Sequence, residues 1–313
     1  MAVATPPQSK TLPIGRTRHR GDTIFSWIAR AAGLVIVIVL AGVALFLIFE
    51  GAPVLTAESG VSGFLSYVWP LLFGTLLSSA IALIVATPLA IGIALFVTQY
   101  APPKVAAPFG YLVDLLAAVP SVVIGLWGAN YLGKHLVPVY QWLGAHLSWI
   151  PLFAGPSSAT GRTMMTAGLV LAIMILPIVT ALCREVFRQA PRLQKEAALA
   201  LGATRWEMLR SVVLPFGRSG IISATLLGLG RALGETMAVA LVLSTSGGVT
   251  FNLIGSANPS TVAANVALKF PESTGIDVNR LIATGLVLFV ITFLVNVVGR
   301  VVVRRGGEVG AGG

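Results

Sequence analysis

The sequence predicts an all-α polytopic membrane protein with six transmembrane helices. Three observations carry that class. Apolar and aromatic residues make up 56% of the 313, and charged residues only 10%, under half of the roughly 25% usual in soluble domains. The mean hydropathy is +0.90, too apolar for a water-soluble globule or for a disordered chain, which is poor in hydrophobic side chains. Several apolar runs reach the roughly 20 residues that cross a bilayer as a helix.

The formal net charge of +10 would also suit a nucleic-acid partner, but position excludes that. Of 21 Lys and Arg residues, 16 fall on one set of alternating loops, four on the other set and one inside a span. The positive-inside rule produces such alternation, whereas a nucleic-acid surface does not.

Residues 1–25 form a basic N-terminal segment expected in the cytoplasm, with Pro6, Pro7, Pro13 and a cluster at Arg16, Arg18, His19 and Arg20. The apolar stretch Ala31–Phe49 follows. No small-x-small cleavage site occurs at Glu50–Ala52 and further apolar runs come after, so it is expected to remain as the first span. Five more spans are expected at Trp69–Val97, Tyr111–Leu132, Thr163–Leu182, Phe216–Leu243 and Leu281–Val303. Together they make one six-span domain over 26–305, and a Gly-rich tail covers 306–313. Six crossings put both termini on the cytoplasmic side. The arginine-rich segment Arg184–Gly217 lies there too, and the loops 50–68, 133–162 and 244–280 lie outside.

Smaller features have modest readings. Cys183 is the only cysteine, which excludes an intramolecular disulfide and a multi-cysteine metal site. His135 and His146 sit among Tyr140, Trp142 and Trp149 with no carboxylate or cysteine at ligand spacing. They read as interfacial residues on a short amphipathic helix. Pro88, Pro120 and Pro177 fall inside expected spans, where proline frees backbone carbonyls that neighbours or a cavity must satisfy.

The segment 184–215 is too polar to span. Glu196–Leu201 is a strong helix-forming run, and Gly202 suits the left-handed residue just past a helix end. Thr204 and Glu207 have capping-box spacing for a second helix that runs toward Leu214 and stops at Pro215. The expected unit is helix, glycine turn, helix, lying under the membrane.

The fifth expected span holds Arg231 and Glu235. Four residues apart, they would share a helix face within pairing distance, and charges inside a bilayer are costly enough to be rare. Two readings stay open. The pair is structural, or it is an anion site in which the fork-shaped Arg231 faces an oxyanion. Asp114 and Ser121 in the third span are further polar candidates, Asp114 closer to the inner interface. Gly230 and Gly234 have the small-xxx-small spacing of close helix packing. No Gly-x-x-x-x-Gly-Lys-Ser/Thr loop is present, so the chain lacks that device for ATP hydrolysis.

Two sets of motifs resemble a known family. Glu196-Ala197-Ala198, with Gly202 and Val212-Val213-Leu214-Pro215 at their spacings, resembles the EAA loop of bacterial ABC importer permeases, with valine where isoleucine is usual. Gly230-Arg231-Ala232-Leu233-Gly234-Glu235-Thr236-Met237-Ala238-Val239 and Ala118-Val119-Pro120-Ser121-Val122-Val123-Ile124-Gly125-Leu126-Trp127 look like signatures of phosphate importer permeases. Glu-Thr-Met-Ala-Val resembles the PstC-type subunit more than its PstA-type companion.

The resemblance implies a type I importer permease fold in a bacterial inner membrane. It implies a second homologous permease, two cytoplasmic ATPase subunits and an extracytoplasmic phosphate-binding protein as partners. ATP and Mg would be held by the ATPase, with no cofactor and no covalent chemistry on this chain. Glu196, Ala197, Ala198, Gly202, Leu214 and Pro215 would couple to the ATPase, and Arg231, Glu235, Thr236, Ser121 and Asp114 would line the phosphate pathway. A sulfate or molybdate permease and a proton-coupled anion symporter are the alternatives. The symporter leaves the EAA segment without a task.

Overall fold

A computed structural model of the chain describes residues 20–56, 60–246 and 248–308. It is helical throughout, joined by loops that hold one isolated bridge, Thr245 to Asn258. The chain divides into two compact units at Phe46 and Leu47. Most of helix α1 (Arg20–Gly51) belongs to the first, and all later elements belong to the second. Of the expected N-terminal segment 1–25, everything before residue 20 lies outside the described residues.

In the second unit, the short α2 (Pro53–Thr56) precedes α3 (Gly60–Leu95), which ends in a π-helical turn at Phe96–Tyr100. Helix α4 is Pro103–Ala117. Next come α5 (Ser121–Trp127), a π turn at Gly128–Leu132 and α6 (Gly133–His146), which follow one another without a break. Helix α7 is Met164–Arg188. Helix α8 (Arg192–Ala200) and α9 (Arg205–Met208) flank a turn, and a π turn at Leu209–Val213 leads into α10 (Leu214–Gly234). Helices α11 (Met237–Val242), α12 (Val262–Lys269) and α13 (Ile276–Glu308) complete the chain.

Helices α3 and α7 form the most extensive pair. Gly168 on α7 lets Ile81 of α3 come into van der Waals contact with its backbone. Around them a core gathers from Ala82, Ala86, Ile124, Leu171, Ile175, Ala238 and Val242, all buried. A second cluster, with Phe187, Leu209 and Val213, closes the arginine-rich end. Helix α10 packs on α7 and α3, α13 on α10, and α4 on α7. At the opposite end the backbone at Ser260 crosses α3 at Gly74, and the Val262 amide donates to Thr75 Oγ1 at 3.0 Å.

Five helical stretches are long and apolar enough to cross a membrane, and α4 with α5–α6 makes a sixth when that bent pair is taken together. The span expected at Tyr111–Leu132, with Pro120 inside it, is therefore two helices rather than one. The chain bends by 92° between α4 and α5, where Pro120 stands extended (φ −59°, ψ 136°) as the N-cap of α5 and has no N–H with which to continue the bonding of α4. Helix α5–α6 also runs past the expected end at Leu132 to His146.

The span expected at Phe216–Leu243 is interrupted as well. Helix α10 stops at Gly234, and Glu235 is extended (φ −69°, ψ 125°) before α11 begins. Pro215, expected to stop a helix, instead sits in the first turn of α10. The π turn before it lets Leu214 N–H donate to Leu209 O, so the missing proline N–H falls where the bonding pattern has already shifted. The expected Gly-rich tail is helical as far as Glu308.

Candidate functional site

Two places in the fold gather the residues singled out by sequence. The first is the arginine-rich end. Helix α8 finishes in a Schellman arrangement: Ala203 N–H donates to Ala198 O at 3.1 Å and Gly202 N–H to Leu199 O at 3.0 Å. Gly202 carries the left-handed φ of +88° that this turn demands. Thr204 then caps α9. Its hydroxyl accepts from Glu207 N–H at 3.3 Å, and the Glu207 carboxylate accepts from Thr204 N–H at 2.7 Å. The expected helix–glycine–helix is present with both its caps.

No side chain of α8 is buried. Glu196 and Ala197 face solvent, Ala198 packs inward against the cluster around Leu209, and Leu193 and Leu201 are 80% and 90% exposed. Bare leucines beside Arg192 and Arg205, on an otherwise polar segment, form a stiff apolar and basic surface. Leu214 and Pro215 lie beyond it, at the base of α10.

The second place is the pair of helix interruptions. Helices α5 and α11 pack side by side: Gly125 lies against Ala238, and Gly128 against Val242. Both numbers rise together, so the helices run parallel, and this register sets Ser121 level with the break at Gly234–Thr236. The start of α5 carries no side-chain cap. The start of α11 is served by Glu235, whose Oε1 accepts from Ala238 N–H at 3.3 Å.

Arg231 occupies the last turn of α10 and is exposed. Among the described residues it forms no ion pair with Glu235. The pairing expected from their spacing is thus corrected. Glu235 lies beyond the helix end, where the i,i+4 geometry no longer applies, and its carboxylate is turned toward α11. Thr236 is half-buried and its hydroxyl donates to Gly234 O at 3.1 Å.

Asp114 stands apart from this group. Its two carboxylate oxygens both accept from the single Arg184 Nη2, at 3.0 and 3.2 Å, and the arginine lies over Gly110. It clamps α4 to α7 at the arginine-rich end, while Ser121, Glu235 and Thr236 flank the contact between α5 and α11 and Arg231 sits one turn before the break on α10. Within this chain nothing lies within 4 Å of a β-carbon built on Gly230 or Gly234, while Gly228, two residues before, packs on Val179.

His135 and His146 lie on α6. Each ring bonds a carbonyl one turn earlier, of Tyr131 and Trp142, and stacks on that aromatic side chain. Sequence reasoning missed the buried Asn258, which bridges Met164 N–H and the carbonyls of Ser244 and Gly255. A lone loop asparagine gives no periodic signal.

The chain as a whole is similar to known proteins. The pattern of the family described as binding-protein-dependent transport system inner membrane component matches residues 86–306. The phosphate transport system permease protein PstC 2 of Mycobacterium tuberculosis is 46% identical over 311 residues, covering 94% of each chain. PstC of Mesorhizobium japonicum is 39% identical over 300 residues, 91% of this chain and 90% of that one. A bacterial alginate ABC transporter structure matches with a TM-score of 0.62 at 15% identity, covering 91% of this chain and 96% of that chain. The MetNI methionine ABC transporter in an inward-facing conformation matches at 0.53 and 17%, covering 80% and 99%. At such identities these two structures speak for the fold. The chain belongs to the family of binding-protein-dependent transport system inner membrane components, as a multi-pass inner-membrane permease alongside the PstC proteins.

Proposed function

We propose that this permease carries inorganic phosphate inward, with ATP hydrolysed on a separate subunit. The observation that supports phosphate best is the composition of the break. An uncapped helix start at Ser121 and the Thr236 hydroxyl stand at one level beside a carboxylate at Glu235, and the guanidinium of Arg231, without an ion-pair partner among the described residues, lies one helical turn before it. Helix starts and arginine forks favour oxyanions. A carboxylate close by favours an anion that still carries a proton to donate, which hydrogen phosphate has and sulfate lacks. Interrupted helices that turn their ends toward a substrate at mid-membrane are a recurring transporter device.

In this reading a second, homologous permease completes the pathway, and an extracytoplasmic binding protein delivers phosphate at the end opposite Arg184–Gly217. Two ATPase subunits, holding ATP and Mg, dock on Glu196, Ala197, Ala198 and the Gly202 turn. Leu214 and Pro215 pass their motion into α10. Both termini are cytoplasmic. Transport then requires two states of the pathway that differ in affinity for the anion. The test is phosphate uptake by vesicles containing this chain and its partner proteins. Uptake that needs ATP supports the reading, and uptake driven by a proton gradient without ATP replaces it with the symporter.

A further inference from the structure

A cavity of about 400 Å³ opens at the end of the molecule opposite the Arg184 cluster. Thr245 and Ser246 line it, and they follow α11 after two intervening residues. Helix α11 has six residues, so the cavity lies on the order of 10 Å beyond the helix break at 1.5 Å per residue. Its wall comes from α12 and the first turns of α3.

The lining is a set of donors with few acceptors to spend them on. Asn265, 5% exposed, donates one N–H to Tyr67 Oη at 2.7 Å. The Tyr67 hydroxyl keeps its own proton with no acceptor among the described residues, and so does Ser246. Lys269 Nζ sits 5.1 Å from the centre of the Tyr67 ring, a cation–π placement that holds the ammonium at the rim. No carboxylate lies within ion-pair distance of Lys269 among the described residues.

Glu272 and Asp277 line an adjoining cavity of about 320 Å³ that shares Tyr67 and Lys269 with this one; there Asp277 holds Arg280 at 3.0 Å, and the Arg280 guanidinium stands 5.7 Å from the centre of the same Tyr67 ring. A cation, two hydroxyls and an amide facing one hollow without a carboxylate match a small oxyanion.

We propose that this cavity is a second oxyanion station, outward of the helix break, which receives the anion before it reaches Arg231. The identity of the ion as phosphate rests on the transport reading above. A pathway conducts when successive sites bind the ion well enough to admit it and weakly enough to release it. A single lysine held on an aromatic ring, at an open mouth, is the weaker of the two stations.

The test uses the assembled transporter in nanodiscs of zwitterionic lipid, with Ser246→Cys as reporter. Inorganic phosphate at about 5 mM is expected to slow labelling by a negatively charged thiosulfonate about sixfold, the protection of 1 + [L]/Kd for a site with a Kd of about 1 mM. Lys269→Gln is expected to abolish that protection and Lys269→Arg to keep it. In the same complex without the reporter, Lys269→Gln should lower uptake from saturating phosphate-loaded binding protein while assembly stays intact. Labelling that phosphate does not slow, or protection unchanged in Lys269→Gln, overturns the proposal. So does protection that anionic lipid confers and phosphate does not. Because labelling reads the cavity without transport, a wild-type complex that takes up no phosphate defeats the transport reading separately.

Discussion

Gly125 on α5 meets Ala238 on α11 so closely that a β-carbon at 125 would stand 2.7 Å from the Ala238 Cα. Backbone, not a flexible side chain, occupies that space. The contact fixes the register that brings Ser121 level with Glu235 and Thr236, so the geometry of the helix break depends on it.

Gly125→Val is therefore expected to push α5 and α11 apart. Overpacking of this kind costs about 1–3 kcal/mol, which the extensive α3–α7 core can absorb. The permease should still assemble, with phosphate uptake per assembled complex strongly reduced. Normal uptake in Gly125→Val would remove the break from the transport path.

Gly202→Asp acts through backbone conformation rather than space, since nothing lies within 4 Å of a β-carbon there. A side chain held left-handed costs about 1–2 kcal/mol, enough to rearrange an exposed turn. The variant should insert normally and lose the ATPase subunit on purification, while Gly202→Asn, better tolerated in that conformation, should keep more of it. Full co-purification and normal uptake in Gly202→Asp would detach the α8 turn from coupling.

Asp114 and Arg184 differ in exposure, at 52% and 12% of the side chain. Removing the acid strands an arginine that is mostly covered, whereas removing both strands nothing. A double-mutant cycle on Asp114→Ala and Arg184→Ala should give a coupling of about 1 kcal/mol, above the typical exposed pair because one partner is largely desolvated. Thermal unfolding of the purified complex measures it, and additive losses would show that the clamp contributes nothing.

Orientation rests on the basic residues, and labelling tests it directly. Ser256 and Ser211 are both exposed and lie at opposite ends of the helices. A cysteine at 256 should react with an impermeant reagent added outside intact cells, and one at 211 should not. The reverse pattern would invert the model, and reaction at both positions would break it.

The helices were legible because apolar length and caps are local properties. The Gly202 turn and the Thr204–Glu207 box follow from residues three to five positions apart, and both form as their spacing implies. What the pattern left unread depends on neighbours distant in sequence. Tyr111–Leu132 reads as one apolar run, yet Pro120 divides it, and only the partner helix α11 decides that the second part packs beside Gly125. Asp114 looked like a pathway residue until α7 supplied Arg184, 70 positions away. The i,i+4 argument for Arg231 and Glu235 failed because it presumed an unbroken helix, and no proline marks the stop at Gly234.

That stop changes what substitutions at 231 and 235 should do. Glu235 serves α11 through a carboxylate oxygen that accepts the Ala238 N–H, and Gln at 235 retains an acceptor oxygen. Glu235→Gln should therefore keep the geometry of the break and part of the uptake. Arg231→Leu removes the cation that stands one turn before the break and should abolish uptake, with assembly preserved because the guanidinium is exposed and has no ion-pair partner among the described residues. Exchanging the two, Glu at 231 with Arg at 235, discriminates most sharply. A structural ion pair would survive the exchange. Here the new arginine offers no acceptor to Ala238 N–H, and the new carboxylate stands where the anion needs a cation. Uptake normalised to assembled complex should then fall to background. Near-normal uptake in the exchanged variant would exclude an anion-binding role for Arg231 and restore the pair as a structural element.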